Sequence, residues 1–300
     1  MGDNFLVSVI VATYLREFEL KRALESLIAQ THQKIQVIVV DDNANEEWNA
    51  KVATIIKTLK EKANFPIVHI INSTNLGSAR ARNVGIYSAT GKYVCFLDDD
   101  DVYLPKRLEN QVRVMENLSA DYSITDLALY TESDKLIEIR RRNYIKNVKS
   151  ENLIKYHLMH HMTGTDTLMF NREYLNYIGG FDPIDMGDEF YLMVKAIEKK
   201  GKFVYVPVCD IKAYVHTGEV GISSGQKKIL GENELYKYKQ KYFTTLDRKV
   251  IRYIKMRHYA VLAFAFMKMK NFVKVVLNIS LSFLSSPIDF IFLGIGFIKK

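Results

Sequence analysis

The chain has 300 residues, of which 48% are hydrophobic and 25% charged, a composition typical of a globular protein with a full core. Its two cysteines, Cys95 and Cys209, have no CxxC partner, which indicates a reducing compartment and argues against a disulfide framework or a zinc site. The net charge of +8 is uneven, because residues 217–300 carry 15 Lys and Arg against 5 Asp and Glu, and residues 1–216 carry 27 against 29. Such a basic tail indicates an anionic partner, either a membrane surface or nucleic acid.

Apolar strand patterns alternate with amphipathic helix patterns over the first 100 residues. Residues 6–12 form a continuous apolar run with no basic residues before it and no small-residue cleavage site, so we expect a buried strand and not a signal peptide. The alternation predicts a parallel sheet covered by helices on both faces. The other predicted strands span residues 35–40, 66–71 and 93–97, and the predicted helices span residues 17–30, 46–60 and 78–89.

Polar groups follow three of these strands at the point where each strand ends. Thr13 and Tyr14 follow the first strand, Asp41 and Asp42 end the second, and four consecutive carboxylates at 98–101 follow the fourth. Ligands of parallel sheets bind beyond the carboxyl ends of the strands. Four adjacent acids need a cation or strong hydrogen bonds, and oxygen ligands suit Mg²⁺ or Mn²⁺. The alternative is a solvated acidic turn.

The second half of the chain mixes strands and helices. Pro105 opens a helix at its first turn. Three histidines, at 157, 160 and 161, cluster in one segment, and we interpret them as surface or core-edge residues and not as a metal site. The predicted strands span residues 122–130, 136–140, 165–171, 203–206 and 210–215, and the predicted helices span residues 172–177 and 189–200.

The basic tail, residues 221–300, is predicted to be helical and separate from a first domain at residues 1–220. Residues 252–274 mix basic with apolar side chains, and residues 275–298 are mostly apolar but interrupted. No stretch is long and apolar enough for a spanning helix, so we expect these helices to lie in a membrane interface. The alternatives are packing on the body of the protein or on a second copy in a homo-oligomer, and we favour nucleic acid less than membrane.

Six segments of the chain come in the order and spacing of one family. They are VSVIVATY at 7–14, VVDDN at 39–43, NLGSARARNVG at 75–85, FLDDDD at 96–101, GGFD at 179–182 and GDE at 187–189.

Over residues 5–220 these segments resemble the family 2 glycosyltransferases. The resemblance implies an α/β, GT-A fold with a Rossmann-like nucleotide-binding half, a mixed-sheet acceptor half and, here, a C-terminal helical extension. It also implies inverting transfer of a sugar from a nucleoside diphosphate donor, usually a UDP-sugar, assisted by Mn²⁺ or Mg²⁺.

The resemblance assigns the donor site residue by residue. Asp42 would accept the uracil N3–H, although a turn or helix cap is the alternative, and Thr13 and Tyr14 would line the same pocket. Arg82 and Asn83 match the Ala-Arg-Asn element that holds phosphate, with Arg80 as a rival for Arg82.

The acidic tetrad matches the Asp-x-Asp pattern of the family. Asp100 is predicted to bind the metal directly, Asp98 to bind it through water or to lie near the ribose, and Asp99 to complete the donor site. Asp101 would orient the others. His216 stands where some relatives supply a further metal ligand, and an ordinary strand-end histidine is the alternative.

Asp188 matches the catalytic base, which takes the proton of the acceptor hydroxyl. Glu189 is its rival, and an acid that merely favours a helix N-terminus is the alternative reading. Two positions depart from the pattern: Leu15 stands where Asn is frequent, and Asn43 where Gly is usual.

No QxxRW-type element follows residue 216, which argues against a processive synthase. We therefore expect a single transfer onto a lipid-linked or cell-surface glycan precursor, at the inner face of the cell membrane. A degenerate binding subunit with the same fold is the alternative function. A nucleotidyltransferase is disfavoured, because the loop after the first strand has no glycine.

Overall fold

The computed structural model describes residues 5–184, 186–216 and 225–298. The chain divides into two units: the first comprises residues 1–150 and 162–215, and the second comprises residues 151–161 and 216–300. The domain boundary predicted at residue 220 lies outside the described residues.

The first unit contains two sheets. In the larger sheet the strand order is β10-β6-β9-β4-β1-β2-β3, and in the smaller it is β5-β11-β7-β8. Strands β4, β1, β2 and β3 are parallel, whereas β9 runs antiparallel to both β4 and β6. The strands are β1 Val7–Thr13, β2 Ile35–Asp41, β3 Ile67–Ile71, β4 Tyr93–Phe96, β5 Val102–Tyr103, β6 Tyr122–Thr125, β7 Leu127–Thr131, β8 Leu136–Arg140, β9 Met169–Asn171, β10 Phe203–Val206 and β11 Ile211–Val215.

Helices occur in both units, and the second unit contains the helix that ends at His160 as well as those of the tail. The helices are α1 Phe18–Ile28, α2 Glu46–Lys60, α3 Ser78–Ser88, α4 Arg107–Leu118, α5 Ser150–His160, α6 Arg172–Tyr177, α7 Asp188–Glu198, α8 Gly225–Gln240, α9 Arg248–Lys268, α10 Phe272–Ser285 and α11 Pro287–Ile298.

Strand β1 is buried on both faces. Val9 shares a core cluster with Leu24 of α1 and Val52 of α2. On the opposite face, a Cβ added to Gly85 of α3 would lie 2.4 Å from Cγ2 of Ile10, so the helix approaches the strand as closely as glycine allows. The predicted sheet with helices on both faces is confirmed, and the carboxyl ends of β1, β2 and β4 meet at one edge.

The strand predicted over residues 122–130 is wrong, because the chain changes sheet in the middle. Strand β6 belongs to the larger sheet and β7 to the smaller. Between them Asp126 is buried, and its Oδ1 accepts hydrogen bonds from the backbone N–H of Arg142 at 3.0 Å and from the Tyr205 hydroxyl at 2.7 Å. A buried carboxylate with fixed donors holds the chain at this point.

The strand predicted over residues 165–171 is also wrong in its first half. Residues Thr165–Thr167 form a 3₁₀ turn, and only Met169–Asn171 continue as β9. The Thr167 hydroxyl donates to the carbonyl of Gly164 at 2.7 Å, which stabilises the turn.

The basic helix predicted over residues 252–274 is wrong at its C-terminal end. Helix α9 ends at Lys268, and Lys270 has a left-handed backbone with φ of +57°. Asn271 then caps α10, since its side chain accepts a hydrogen bond from the backbone N–H of Lys274 at 3.2 Å. Among the helices that the structure describes, none has the length and apolar character needed to cross a membrane.

Candidate active site

Three buried or half-buried carboxylates meet beyond the end of β4. Oxygen atoms of Asp98, Asp101 and Asp166 lie within 4.8 Å of one another. The backbone N–H of Asp98 donates to Oδ1 of Asp166 at 2.7 Å, and the backbone N–H of Tyr214 donates to Oδ1 of Asp101 at 2.8 Å. The 3₁₀ turn and β11 therefore hold the acids that follow β4.

Crowding in this carboxylate group raises the pKa values of its members. Burial, and then the neighbouring charge of Asp98, raise the pKa of Asp166 to about 7. Burial and the charge of Asp166 likewise hold the pKa of Asp101 well above its ordinary value. A divalent cation would remove this penalty, and a set of oxygen donors alone fits Mg²⁺ or Mn²⁺.

Arg82 joins two acids that are 90 residues apart in the sequence. Its Nη2 lies 2.7 Å from Oδ1 of Asp98, and its Nη1 lies 2.6 Å from Oδ2 of Asp188. Burial alone would lower the pKa of the guanidinium, but the charges of Asp98 and Asp188 raise it above its ordinary value. One fixed cation thus connects the tetrad with the first residue of α7.

Asp188 begins α7 directly after Gly187, whose φ of +72° is a conformation that favours glycine. Asp188 is 6% exposed. Burial raises its pKa to about 7, because the opposing effect of Arg82 is offset in part by the charges of Glu189 and Asp98. A carboxylate with this pKa is suited to accept a proton near neutral pH.

Asp99 connects the tetrad to the end of β1. Its Oδ2 accepts a hydrogen bond from the Thr13 hydroxyl at 2.8 Å and one from the backbone N–H of Tyr14 at 3.3 Å. Burial and the charge of Asp100 raise its pKa to about 7. Arg16 places Nη2 at 2.9 Å from Oδ2 of Asp100, so a cation from the same loop offsets part of the charge of the tetrad.

Comparison with known proteins gives the family of this chain. The family model described as "Glycosyl transferase family 2" matches residues 8–179. The chain belongs to glycosyl transferase family 2. The enzyme class predicted from the sequence, a glycosyltransferase, is confirmed.

The chain is similar to characterised and uncharacterised members of the family. An uncharacterised glycosyltransferase of Methanocaldococcus jannaschii, MJ1057, is 32% identical over 204 residues, which are 67% of this chain and 68% of that protein. The Escherichia coli protein WfaP, a UDP-Glc:α-D-GlcNAc-diphosphoundecaprenol β-1,3-glucosyltransferase, is 32% identical over 133 residues, which are 44% of this chain and 49% of WfaP. Other curated relatives are matched over as little as 18% and up to 54% of their own length.

A solved structure has the same fold. S. aureus TarS 1–349 in complex with UDP-GlcNAc aligns with a TM-score of 0.58 at 18% identity, over 91% of this chain and 89% of that chain. The GT-A fold class predicted for this family 2 glycosyltransferase is confirmed.

In this glycosyltransferase Asp42 is 3% exposed and organises the loop before α3. Its Oδ1 accepts from Asn72 Nδ2 at 2.8 Å and from the backbone N–H of Leu76 at 2.9 Å, and its Oδ2 accepts from the backbone N–H of Gly77 at 2.9 Å. These are the contacts of a cap. A carboxylate accepts about four hydrogen bonds, so contact with uracil stays a prediction alongside this capping role.

Asn83 fixes the glycine-rich loop that precedes α7. Its Nδ2 donates to the carbonyl of Phe181 at 2.8 Å, and its Oδ1 accepts from the backbone N–H of Phe181 at 2.9 Å. A Cβ on Gly180 would lie 2.6 Å from this Oδ1. The amide therefore holds the loop, and its predicted contact with the donor stays a prediction.

The two departures from the family pattern touch each other. Leu15 has φ of +53°, a conformation that Asn adopts more readily than Leu. Its backbone N–H donates to Oδ1 of Asn43 at 2.7 Å. The side chain of Asn43 thus supports the strained turn that Leu15 makes.

The structure brings most of the predicted site residues into two linked groups. Thr13 and Tyr14 contact Asp99, and Arg82 joins Asp98 to Asp188.

The predicted metal ligands only partly coincide with the carboxylate group. Asp98 belongs to it, whereas Asp100 pairs with Arg16. His216 follows Val215, the last residue of β11, and its role stays a prediction.

Sequence reasoning missed Asp166 and Arg16. Asp166 stands alone between two threonines, 68 residues from Asp98, and no spacing rule connects them. Arg16 could have been found, because a basic residue just after a strand end that faces four acids is a natural counter-charge.

Proposed function

We propose that this glycosyltransferase moves one sugar from a UDP-sugar to a hydroxyl group of a lipid-linked or cell-surface glycan, with inversion at the anomeric carbon. The observation that carries the proposal is the Arg82 bridge, in which a single guanidinium lies 2.7 Å from Asp98 and 2.6 Å from Asp188. A group that can take a proton is thereby kept beside the acids of the Asp-x-Asp pattern.

In this mechanism Asp188 is the base of a single displacement. Its carboxylate takes the proton of the acceptor hydroxyl while that oxygen forms a bond to the anomeric carbon. The bond from the anomeric carbon to the diphosphate oxygen breaks, and UDP leaves with the electron pair. A pKa of about 7 leaves a large fraction of Asp188 ionised at neutral pH, and its conjugate acid is formed without a large penalty.

Arg82 serves the donor as well as the base. Its guanidinium is buried against Asp98 and Asp188 and does not lose its proton. The same fork geometry suits phosphate oxygens. We therefore assign Arg82 to the donor diphosphate, with Asp188 held in position by the remaining N–H group.

The carboxylate group of Asp98, Asp101 and Asp166 would hold Mg²⁺ or Mn²⁺, with Asp100 beside it. Bound there, the ion supplies neutralisation of the charge that develops on the leaving diphosphate. Asp99, fixed by Thr13 and Tyr14, sets the position of the loop on the donor side.

We infer the class of acceptor from similar proteins whose names state their acceptor. WfaP, by its name, acts on GlcNAc linked to diphosphoundecaprenol, and it is similar to 44% of this chain. An acceptor of that class lies in a membrane, so we assign this enzyme to the inner face of the cell membrane as a peripheral protein.

The test is UDP release by the purified chain across a panel of UDP-sugars, with Mn²⁺, Mg²⁺ or EDTA. We expect slow, metal-dependent release with one donor even without acceptor, since water can replace the acceptor hydroxyl. UDP binding without release from any donor would favour the degenerate binding subunit. Absence of UDP binding would contradict the proposal.

A further inference from the structure

Helix α10 turns its polar residues inward and its apolar residues outward. Asn278 and Ser282 are 6% and 0% exposed. The Ser282 hydroxyl donates to the carbonyl of Met256 on α9 at 2.8 Å. On the other side Val273 is 82% exposed and Leu284 is 72% exposed. A helix on the surface of a water-soluble protein has the opposite arrangement.

The exposed apolar residues of α10 form one stripe, which we call the apolar face. They recur at spacings of one, three, four and seven residues, so they lie on the same side of the helix. Soluble monomers rarely expose contiguous apolar patches much larger than a few hundred Å². The apolar face consists of Phe272, Val273, Val276, Leu277, Ile279, Phe283 and Leu284, each between 43% and 82% exposed.

Helix α11 continues this pattern. Ile288, Ile291 and Phe292 are 70%, 54% and 68% exposed, at the i, i+3, i+4 spacing of one helix side. Aromatic and aliphatic side chains are thus exposed over two consecutive helices.

Positive charge accompanies the apolar face. Residues 248–298 contain eight Lys and Arg and one acid, Asp289. Lys268 and Lys270 directly precede α10, and Lys274 lies in its first turn, with Nζ 4.9 Å from the ring centre of Phe266. Long basic side chains beside apolar surface can keep their charged ends at a polar boundary.

These features favour an anionic lipid surface over a second copy of the chain. In a twofold dimer each face meets its own equivalent, so Lys268, Lys270 and Lys274, with no acid between residues 268 and 288, would meet the same lysines and repel each other. Small polar residues between helices with apolar residues outside are instead the arrangement of helices packed within lipid. Ser282, which donates to α9, follows that arrangement.

We propose that α10 and α11 lie in the interface of an anionic phospholipid membrane, with the apolar face among the acyl chains and Lys268, Lys270 and Lys274 at the headgroups. This inference deepens the peripheral location given under the proposed function and names the surface responsible. The helices lie along the membrane and do not cross it.

The test is co-flotation of the full chain with vesicles of phosphatidylcholine alone or with about one third phosphatidylglycerol, at low and high salt. We expect binding to the anionic vesicles that weakens with salt. The double variant Val273→Asp, Leu277→Asp should lose at least tenfold in affinity. The matched control Tyr87→Asp changes an aromatic residue of α3 that is 92% exposed, and its binding should be unchanged.

Two further variants keep the test independent of any effect on folding. Neutralising the lysines with Lys268→Gln, Lys270→Gln and Lys274→Gln should reduce binding to anionic vesicles about tenfold and leave the apolar face intact. The fluorescence of the tryptophan introduced by Phe272→Trp should be quenched by lipids brominated on their acyl chains. The fluorescence of the wild type, which comes from Trp48, should not be quenched.

Each outcome either supports or overturns the inference. Absence of vesicle binding by the wild type, or equal binding by the Val273→Asp, Leu277→Asp variant, overturns it. A wild-type dimer in light scattering that this variant converts to a monomer, without vesicle binding, assigns the apolar face to a second copy. UDP binding measured on the same samples separates this inference from the proposed function, because a membrane-binding failure with intact UDP binding leaves the catalytic proposal standing.

Discussion

The Arg82 site in the first unit of this glycosyltransferase and helix α10 in the second bury polar side chains in different ways. The first unit buries charges and pairs them, as Arg82 does with Asp98 and Asp188. In the second unit, helix α10 buries the uncharged side chains of Ser282 and Asn278 and leaves apolar side chains outside. In a site of paired charges, a charged ligand can replace one side chain as the partner of another. An exposed apolar face is instead suited to an apolar environment.

The largest effect expected is the removal of the buried cation. Arg82→Met leaves Asp98 and Asp188 without their partner, so we expect a loss of about 3 kcal/mol in the free energy of unfolding and a decrease of about 10²–10³-fold in kcat/KM. Urea unfolding and UDP release measure the two effects. The matched control Arg80→Met removes an exposed arginine of the same helix, and a loss in this variant that Arg82→Met does not show would make Arg80 the functional residue.

His160, half-buried at the end of α5, tests whether a polar group of the second unit is held in its uncharged form. Burial first, and then the charges of Arg257 and Lys239, lower the pKa of His160 to about 4, and Tyr253 Oη lies 3.3 Å from its Nδ1. The unfolded chain takes up this proton below pH 6.5 and the folded chain only near pH 4. The contribution of neutral His160 to the free energy of unfolding is therefore fully present above pH 6.5 and is lost as the pH falls toward 4.

We expect the free energy of unfolding to fall by about 2 kcal/mol between pH 7 and pH 5 on account of His160. Urea titrations of wild type and His160→Gln at both pH values measure it. An identical pH dependence in the two proteins would show that His160 is not buried in its neutral form.

A substitution of Asp166 tests whether the carboxylate group of the first unit holds the metal. Asp166→Asn keeps an oxygen that can accept the backbone N–H of Asp98 but removes one of three crowded carboxylates. We expect the metal-dependent part of UDP affinity to fall about tenfold, which is about 1.4 kcal/mol. Calorimetry with and without Mn²⁺ measures it. Asp134→Asn, at an exposed ion pair with Lys212, is the control and should not change UDP affinity.

The smallest effect concerns the turn after β1. Leu15→Asn replaces a residue that is strained at φ of +53° by one that tolerates this conformation, so we expect a gain of about 1 kcal/mol. Thermal unfolding should show a rise of about 2 °C. Leu15→Ala keeps the Cβ strain and should give no rise. Equal behaviour of the two variants would exclude backbone strain as the cause.

Local patterns were sufficient to predict much of the fold. Helix α2 and strand β10 have the predicted bounds, because amphipathic spacing and β-branched runs act over a few residues. The change of sheet at Asp126 could not be predicted in this way. The hydrogen-bond donors of this buried carboxylate come from residues 142 and 205, so no local signal marks the position.

The candidate site was predictable where a motif spans a strand end and less so elsewhere. The tetrad was found from its place at a strand end and Asp188 through the family resemblance, but the Arg82 bridge between them depends on a contact over 106 residues. In the tail, the sequence predicted basic and apolar helices. Which side of α10 faces outward depends on the contact between Ser282 and Met256, which only the structure gives.

The most direct measurement compares Asp188→Asn with Glu189→Gln in the UDP-release assay, with UDP affinity determined for both. Asp188 and Glu189 are adjacent at the start of α7, but Arg82 bridges Asp188 to Asp98. We expect Asp188→Asn to lose about 10²–10⁴-fold in rate while UDP binding persists, and Glu189→Gln to keep most of its activity. A nearly wild-type rate in Asp188→Asn, with the loss in Glu189→Gln, would contradict the assignment of the base.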